Sequence, residues 1–328
     1  MNTDLRALLE RLKNTPAMLS KQAIQHPART LHSPAGNRDA LYALPGDDTA
    51  AIRCGDQYQL LAIEGMLPAF VDQAPWFAGW SAVMANVSDI TAMGGRATAV
   101  VNTYWHHDFN AAEQLLAGIR DACQAYGLIL AGGHTNQATG NPAALAVAIT
   151  GWARRLLSTL HVCPGQCLAM VVDLNGQWHG NAPYWKAFEN VPGEHLRAKL
   201  EVIPRLAEAG LLLAAKDISN AGLLGTLLML LEPTGCGAQL DLACLPQPAD
   251  APLERWLQAF PSYGFVLTLK PEDLPAVQTA FAREDLHCAA IGHIDDSARL
   301  HVSLDQQHHE FWNLHQQPFT GFSYPEEH

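Results

Sequence analysis

The segment from Trp76 to Met93 is apolar around almost its whole circumference, and it constrains the fold more than any other part of the chain. A helix that is apolar on every side has to be buried, because no orientation leaves a polar side for water. Gly94-Gly95 follow at once and end the helix. The sequence therefore predicts a core helix, with β-rich segments on either side of it at residues 58–63 and 97–105.

Two polar side chains interrupt this apolar helix. Asn86 and Asp89 are three residues apart and project from the same face. Asp89 also lies towards the C-terminal end of the helix, where the backbone dipole disfavours a negative charge. A positive group is therefore expected against Asp89, either a bound cation or a basic side chain such as Arg96.

Further acids stand beside apolar strands. In Gly46-Asp47-Asp48-Thr49-Ala50 the adjacent aspartates point in different directions, so one can bind a metal ion while the other orients a neighbour. The alternative is an ordinary turn, where Gly-Asp pairs are common. Glu64 follows the apolar run Leu60-Leu61-Ala62-Ile63, and it either lines a site or is exposed.

Two later segments are suited to binding anions. Gly132-Gly133-His134-Thr135 follows a strand, and paired glycines let backbone amides approach a phosphate, the alternative being a tight turn. Asp217-Ile218-Ser219-Asn220 precedes the most hydrophobic helix of the second half, for which Ser219 or Asn220 is the predicted N-cap. A helix N-terminus is also a ready anion site.

Composition limits the classes of function. The chain has 328 residues, 48% of them hydrophobic, and a formal net charge of −12. This predicts a globular protein and argues against a nucleic-acid or anionic-membrane partner. Seven scattered cysteines and no visible signal peptide or membrane span predict reduced thiols in the cytoplasm. A break in the pattern near 154–166 predicts two domains, 1–155 and 156–328.

The order of these motifs, with Cys163-Pro164-Gly165 between them, resembles the superfamily of aminoimidazole ribonucleotide (AIR) synthetase. That superfamily includes thiamine-monophosphate kinase, to which the block Asn86–Gly95 is most similar. The resemblance implies an α/β N-terminal domain that dimerises through its sheet and an α+β C-terminal domain. It also implies that ATP and Mg²⁺ bind in a cleft between the domains and that the substrate is a small molecule.

Site residues follow from the resemblance position by position. The implied metal ligands are Asp47, Asp48, Glu64, Asp89 and Asp217. The implied nucleotide contacts are Asp48, Thr49, Asn86, Ser88, Gly132, Gly133 and Thr135. His134 and Asn220 are assigned to catalysis, at the γ-phosphate or the acceptor.

Three positions depart from the kinase branch, which has aspartates where Glu64 and His134 stand and an acid where Asn220 stands. The leading interpretation is an ATP- and Mg²⁺-dependent enzyme that transfers phosphate to a small molecule or activates it by phosphorylation. The alternatives are a thiamine-monophosphate kinase and a non-catalytic nucleotide sensor. Two further hypotheses are a transition-metal site at His106-His107 with His134 and a thiol site at Cys163 and Cys167.

Overall fold

The structure is a computed structural model, and it describes residues 4–31, 46–137 and 142–322. The chain packs as two compact units, each with its own sheet. The N-terminal sheet unit contains Asp48–Leu156 and Asn190–Arg205. The C-terminal sheet unit contains the described residues up to Asp47, Leu157–Glu189, and the chain from Leu206 onward.

The N-terminal sheet unit is built on a five-stranded sheet of order β1-β2-β5-β3-β4. Its strands are β1 (Ala50–Cys54), β2 (Gln57–Met66), β3 (Arg96–His106), β4 (Ile129–Gln137) and β5 (Ala144–Ala153). The β3–β4 pair is parallel and the other neighbouring pairs are antiparallel. Its helices are α4 (Pro68–Gln73), α5 (Pro75–Ala92) and α6 (Phe109–Tyr126).

Burial alternates along these strands because α5 covers one face of the sheet. On β5, Val147 and Ile149 are buried beneath α5, which packs across β2, β5 and β3. On the opposite face, Leu61 and Ile63 of β2 are 50% and 69% exposed. We call this second side the open face; its large apolar side chains are Ile52, Leu61, Ile63, Val101, Trp105 and Trp152. The predicted core helix is confirmed as α5.

The C-terminal sheet unit contains a mixed seven-stranded sheet of order β15-β14-β10-β13-β6-β12-β9. The strands are β6 (Cys167–Val172), β9 (Ala214–Asp217), β10 (Gly237–Asp241), β12 (Gly264–Leu269), β13 (His287–Asp295), β14 (Arg299–Leu304) and β15 (Gln307–Asn313). A smaller sheet joins β7 (Gln177–Trp178), β8 (Tyr184–Lys186) and β11 (Phe260–Pro261).

Helices complete this unit and supply much of its core. They are α1 (Leu5–Lys13), α2 (Pro16–Gln22), α3 (Gln25–Leu31), α8 (Gly222–Leu231), α9 (Leu253–Leu257) and α10 (Leu274–Ala282). One of the four points at which the chain passes between the units falls within α7 (Gly193–Glu208). Leucines of α1 and α8 share one apolar core with β10, β14 and β15.

The segment that follows α1 forms the two short helices α2 and α3. Thr15 caps α2 by accepting from the Met18 amide, and Pro16 occupies the first turn. Proline is favoured at that position because its missing N–H would have no partner there.

None of the helices in the described ranges is both long and apolar enough to cross a membrane.

Candidate functional site

Asp48 and Asp89 come together in the N-terminal sheet unit, as the sequence predicts. A carboxylate oxygen of Asp48 lies within 4.8 Å of one of Asp89. Asp48 is half-buried just before β1, and Asp89 is 7% exposed near the C-terminal end of α5. Two carboxylates this close favour a shared cation or proton. Their hard oxygen atoms are suited to a divalent cation such as Mg²⁺.

Asn86 holds α5 on the sheet one turn before Asp89. Its Nδ2 atom donates to the carbonyl oxygens of Ala82 (2.7 Å) and Val147 (2.9 Å). The second bond joins the helix to the central strand β5, so it sets the position of Asp89. Ser88, a second predicted nucleotide contact on α5, is also buried. The structure thus places Asn86 as an anchor of the helix that carries Asp89.

Thr49 follows Asp48 and is 4% exposed. Its hydroxyl is buried and has no hydrogen-bond partner among the described residues. A buried hydroxyl without a partner is costly, so such a group points to a ligand or an ordered water.

Asp47 faces different partners from Asp48. Its Oδ1 accepts from the Thr159 amide (2.9 Å) and hydroxyl (2.6 Å), and its Oδ2 accepts from the Ser158 hydroxyl (2.5 Å). These three bonds attach the residue to the short 3₁₀ helix Thr159–His161. The structure therefore uses both oxygens of Asp47 to orient the loop.

Glu64 lies on the covered face of the sheet. It is half-buried on β2 and opposite Val147 of β5. Directly opposed residues of neighbouring strands share a face, so Glu64 is on the side that α5 covers.

The predicted phosphate loop is part of the exposed edge strand β4. Gly132, Gly133, His134 and Thr135 are all exposed. His134 lies opposite Thr103 of β3. Val101 and Trp105, two residues to either side of Thr103, belong to the open face. Since residues alternate faces along a strand, His134 projects from the open face, whereas Asp89 lies on α5 at the other face.

The C-terminal sheet unit contributes a buried basic and acidic pair on β9. Lys216 is 4% exposed and Asp217 is 5% exposed. The Lys216 ammonium donates to the carbonyl oxygen of Gly46 at 3.3 Å. A lysine so deeply buried is rare unless it has a partner.

The predicted N-cap at Ser219 or Asn220 is wrong. The helix α8 begins at Gly222 after Ala221, and no side chain caps it within the described residues. Gly222 has φ +64°, a left-handed conformation that moves the helix start beyond Asn220. Asn220 is exposed just before this uncapped terminus.

The transition-metal and thiol hypotheses gain no support. In the described ranges, no group of three metal-binding side chains that includes a histidine has its ligand atoms within 4.8 Å. His106 instead accepts from the Asp108 amide through Nδ1. Burial raises the pKa of the Cys167 thiol, which disfavours its reactive thiolate.

Sequence reasoning missed the residues that fix the acidic loop, namely Ser158, Thr159 and Lys216. The signal for Lys216 was available, since it stands beside Asp217 at the end of the apolar run Leu211–Ala215. The two hydroxyl residues gave no comparable signal, because their partner Asp47 is more than a hundred residues away in the chain, at a separation of 111 for Ser158.

Two family models match this chain. The AIR synthase related protein, N-terminal domain, matches residues 46–153, and the AIR synthase related protein, C-terminal domain, matches residues 175–305. An uncharacterized protein of Synechocystis sp. is 41% identical over 96% of this chain and 98% of its own length. The PurL subunit of phosphoribosylformylglycinamidine synthase from Nitrobacter hamburgensis is 26% identical over 93% of this chain, which spans 44% of that protein.

Solved structures share the fold. T. maritima PurL complexed with ADP superposes with a TM-score of 0.76 at 16% identity, over 99% of this chain and 55% of that one. AaThiL complexed with AMPPCP and TMP gives a TM-score of 0.65 at 17% identity, over 88% of this chain and 96% of that one. The chain therefore spans about half the length of the PurL proteins it matches and nearly the whole of AaThiL.

Proposed function

Because the chain belongs to the AIR synthase-related family, we propose that it is an enzyme that uses ATP and Mg²⁺ to phosphorylate, or to activate by phosphorylation, a small-molecule substrate. The approach of Asp48 and Asp89 to within 4.8 Å carries this proposal. Complexes of T. maritima PurL with ADP and ATP, and of AaThiL with AMPPCP, support a nucleotide as the ligand.

The donor set fits Mg²⁺. Asp48 and Asp89 supply carboxylate oxygens, and the buried hydroxyl of Thr49 is a further polar atom beside Asp48 that has no partner in the described part of the chain. The resemblance assigns Glu64, Asp47 and Asp217 to the same ion set, and we propose that Asp47 serves it indirectly by orienting the loop. When bound, Mg²⁺ neutralises charge on the phosphate oxygens.

Backbone amides and polar side chains would bind the phosphates. Gly132 and Gly133 carry no side chain, so a phosphate can come close to the backbone of β4, and Thr135 adds a hydroxyl. The α8 N-terminus, which no side chain caps, has amides directed along the helix axis that favour an anion. Asn220, exposed before it, would orient the γ-phosphate or the acceptor through its amide.

The resemblance assigns His134 to the proton of the reaction. A neutral imidazole donates a hydrogen bond from one nitrogen and accepts a proton at the other, so it can bind a phosphate oxygen or deprotonate an acceptor hydroxyl. Because His134 projects from the open face, on the side of the sheet opposite Asp89, we do not propose it as the base at the acidic pair of the same chain.

We also propose that two copies of the chain pair through the open face. Leu61, Ile63 and Val101 are 50%, 69% and 46% exposed on this one surface. A contiguous apolar surface of this kind is typical of an interaction site. Size-exclusion chromatography with light scattering tests the pairing: the unmodified chain is expected at twice its monomer mass and Ile63→Glu at the monomer mass, whereas a monomeric unmodified chain refutes it.

Calorimetric titration with ATP, with and without Mg²⁺, tests the main proposal. We expect Mg²⁺-dependent binding by the unmodified chain and by the control Asp72→Asn, which removes an exposed acid of α4. Asp89→Asn is expected to abolish the Mg²⁺ dependence. If ATP does not bind at all, the proposed enzyme is refuted.

Release of ADP in the presence of a metabolite panel then separates the possible functions. Turnover with thiamine monophosphate favours the kinase, and turnover with another metabolite identifies a different acceptor. Tight Mg²⁺-dependent ATP binding without turnover on any member favours a nucleotide sensor.

A further inference from the structure

One buried carboxylate fastens the C-terminal segment Phe319–Gly321 to its unit. Glu232 is 5% exposed, and its Oε1 accepts from the amides of Phe319 (2.7 Å) and Gly321 (3.0 Å). Its Oε2 accepts from the Thr320 amide (2.8 Å) and hydroxyl (2.5 Å). We call Glu232 with these three residues the C-terminal clasp. With four donors the carboxylate is well satisfied, so its role in the clasp is structural.

The clasp is also tied to the core. Phe319 is fully buried, and its ring centroid lies 5.5 Å from that of Trp312 in an edge-on contact. Gln25 of α3 donates through Nε2 to the Pro318 carbonyl at 2.8 Å. The contacts with Trp312 and Gln25 therefore hold the backbone that leads into Phe322.

Phe322, the residue after the clasp, lies against Gly46. A Cβ atom built on Gly46 would stand 2.8 Å from the Cβ of Phe322, closer than packed carbon atoms allow. Gly46 also has φ +111°, which residues with side chains rarely adopt. The backbone at Gly46 is thus shaped to receive the Phe322 side chain.

Two further contacts hold the same short loop. Lys216 donates to the Gly46 carbonyl at 3.3 Å, and Asp47 accepts hydrogen bonds from Ser158 and Thr159. The next residue in the chain is Asp48. The place from which the Asp48 side chain extends is therefore set by three supports, of which Phe322 is the one supplied by the C-terminal segment.

We propose that Phe322, held by the C-terminal clasp, is a positioning residue for the metal site. It fixes the backbone of Gly46-Asp47 and through it the carboxylate of Asp48. This inference rests on the proposed role of Asp48 as a metal ligand. Removing a group that orients a metal ligand typically lowers metal affinity about 10–100-fold.

Binding of Mn²⁺ to the full chain, followed through the electron paramagnetic resonance of the free ion, tests the proposal. Phe322→Ala and Glu232→Gln are each expected to raise the dissociation constant about tenfold or more. Phe322→Leu should restore most of the affinity, because it refills the space against Gly46. The matched control is Phe260→Ala, which removes a half-buried aromatic ring from β11 of the same unit and should leave the constant within about twofold.

The outcomes separate this inference from the metal site itself. If the unmodified chain binds Mn²⁺ and both Phe322→Ala and Glu232→Gln bind it as tightly, the positioning role is refuted and the metal site stands. If Phe260→Ala weakens binding as much as Phe322→Ala, general loosening explains the effect and the positioning role is again refuted. If the unmodified chain binds Mn²⁺ no better than Asp89→Asn, the metal site fails and the inference with it.

Discussion

Glu232 and the Asp48–Asp89 pair are acidic groups in two regions with opposite surroundings. Glu232 accepts four hydrogen bonds from residues 319–321, all supplied by the chain itself. Asp48 instead has the carboxylate of Asp89 within 4.8 Å. Donors around a carboxylate stabilise its charge, whereas a second carboxylate destabilises it. The first arrangement is suited to holding the fold and the second to holding a cation.

The two regions resemble each other in one respect, the effect of the helix dipole. Glu232 is the C-cap of α8 and Asp89 lies in the last turn of α5, so both stand where negative charge is unfavourable. The clasp offsets this cost at Glu232. At Asp89 a second carboxylate lies within 4.8 Å, and a bound cation would offset the repulsion between the two groups.

The largest expected effect comes from Asp89→Asn. We expect the Mn²⁺ dissociation constant to rise at least about 100-fold, since a direct ligand should matter no less than the groups that orient it. Titration with Mn²⁺ measures the effect, and an unchanged dissociation constant would contradict the role of Asp89 as a ligand.

Glu232→Gln should have its main effect on stability. The amide group of glutamine directs its own N–H bonds at the donors of the clasp, so we expect the free energy of unfolding to fall by about 2 kcal/mol. Urea unfolding followed by tryptophan fluorescence measures it. The control is Glu310→Gln, which breaks an exposed pair with Arg299 and should cost no more than about 1 kcal/mol. Equal losses in the two variants would show that the buried Glu232 contributes no more to stability than the exposed Glu310.

Much of the N-terminal sheet unit was predictable because its signals are local. The apolar run of α5 predicts burial by itself, and Asp89 within it is an obvious exception that needs a partner. The resemblance then groups Asp89 with Asp48, and the two carboxylates lie within 4.8 Å of each other. The edge position of His134 was not predictable, since it depends on the order of the strands in the folded sheet, where β4 is terminal.

The structural carboxylates were not predictable, because their partners are distant in sequence. Glu232 reaches residues 87 to 89 positions later, and Asp47 reaches Thr159, 112 positions later. Local rules also misplaced the start of α8: Ser219 and Asn220 are typical N-caps, but the left-handed Gly222 delays the helix. Hydrogen bonds that close only in the folded chain leave no periodic signal.

Asp47→Asn tests whether Asp47 is a structural carboxylate like Glu232 or a metal ligand as proposed for Asp89. Asp47 resembles Glu232 in accepting bonds from Ser158 and Thr159, so its loss should lower the free energy of unfolding by about 1 kcal/mol. Because Asp47 also orients the loop, the Mn²⁺ dissociation constant should rise about tenfold, less than for Asp89→Asn. Urea unfolding measures the stability, and Mn²⁺ titration measures the affinity. The control Ser158→Ala removes only one of the donors to Asp47. A loss of metal affinity as large as in Asp89→Asn would instead make Asp47 a direct ligand.

The smallest effect is expected at Glu254, a carboxylate that also has a charged partner but lies at the surface. Hydrogen bonding from Arg11 lowers the pKa of Glu254, so the folded state favours the charged form. This stabilisation is present above the pKa of the unfolded chain, about 4.3, and is lost as the pH falls through the lower pKa of the folded state. Glu254→Gln should therefore reduce stability slightly at neutral pH, less than Glu232→Gln and Asp47→Asn, and by still less near pH 3, since the stabilisation is lost as the pH falls through the lowered pKa of the folded state. Urea unfolding of both proteins at the two pH values measures this. A loss as large as that of Glu232→Gln would show that burial and the number of donors do not decide how much a carboxylate contributes to this fold.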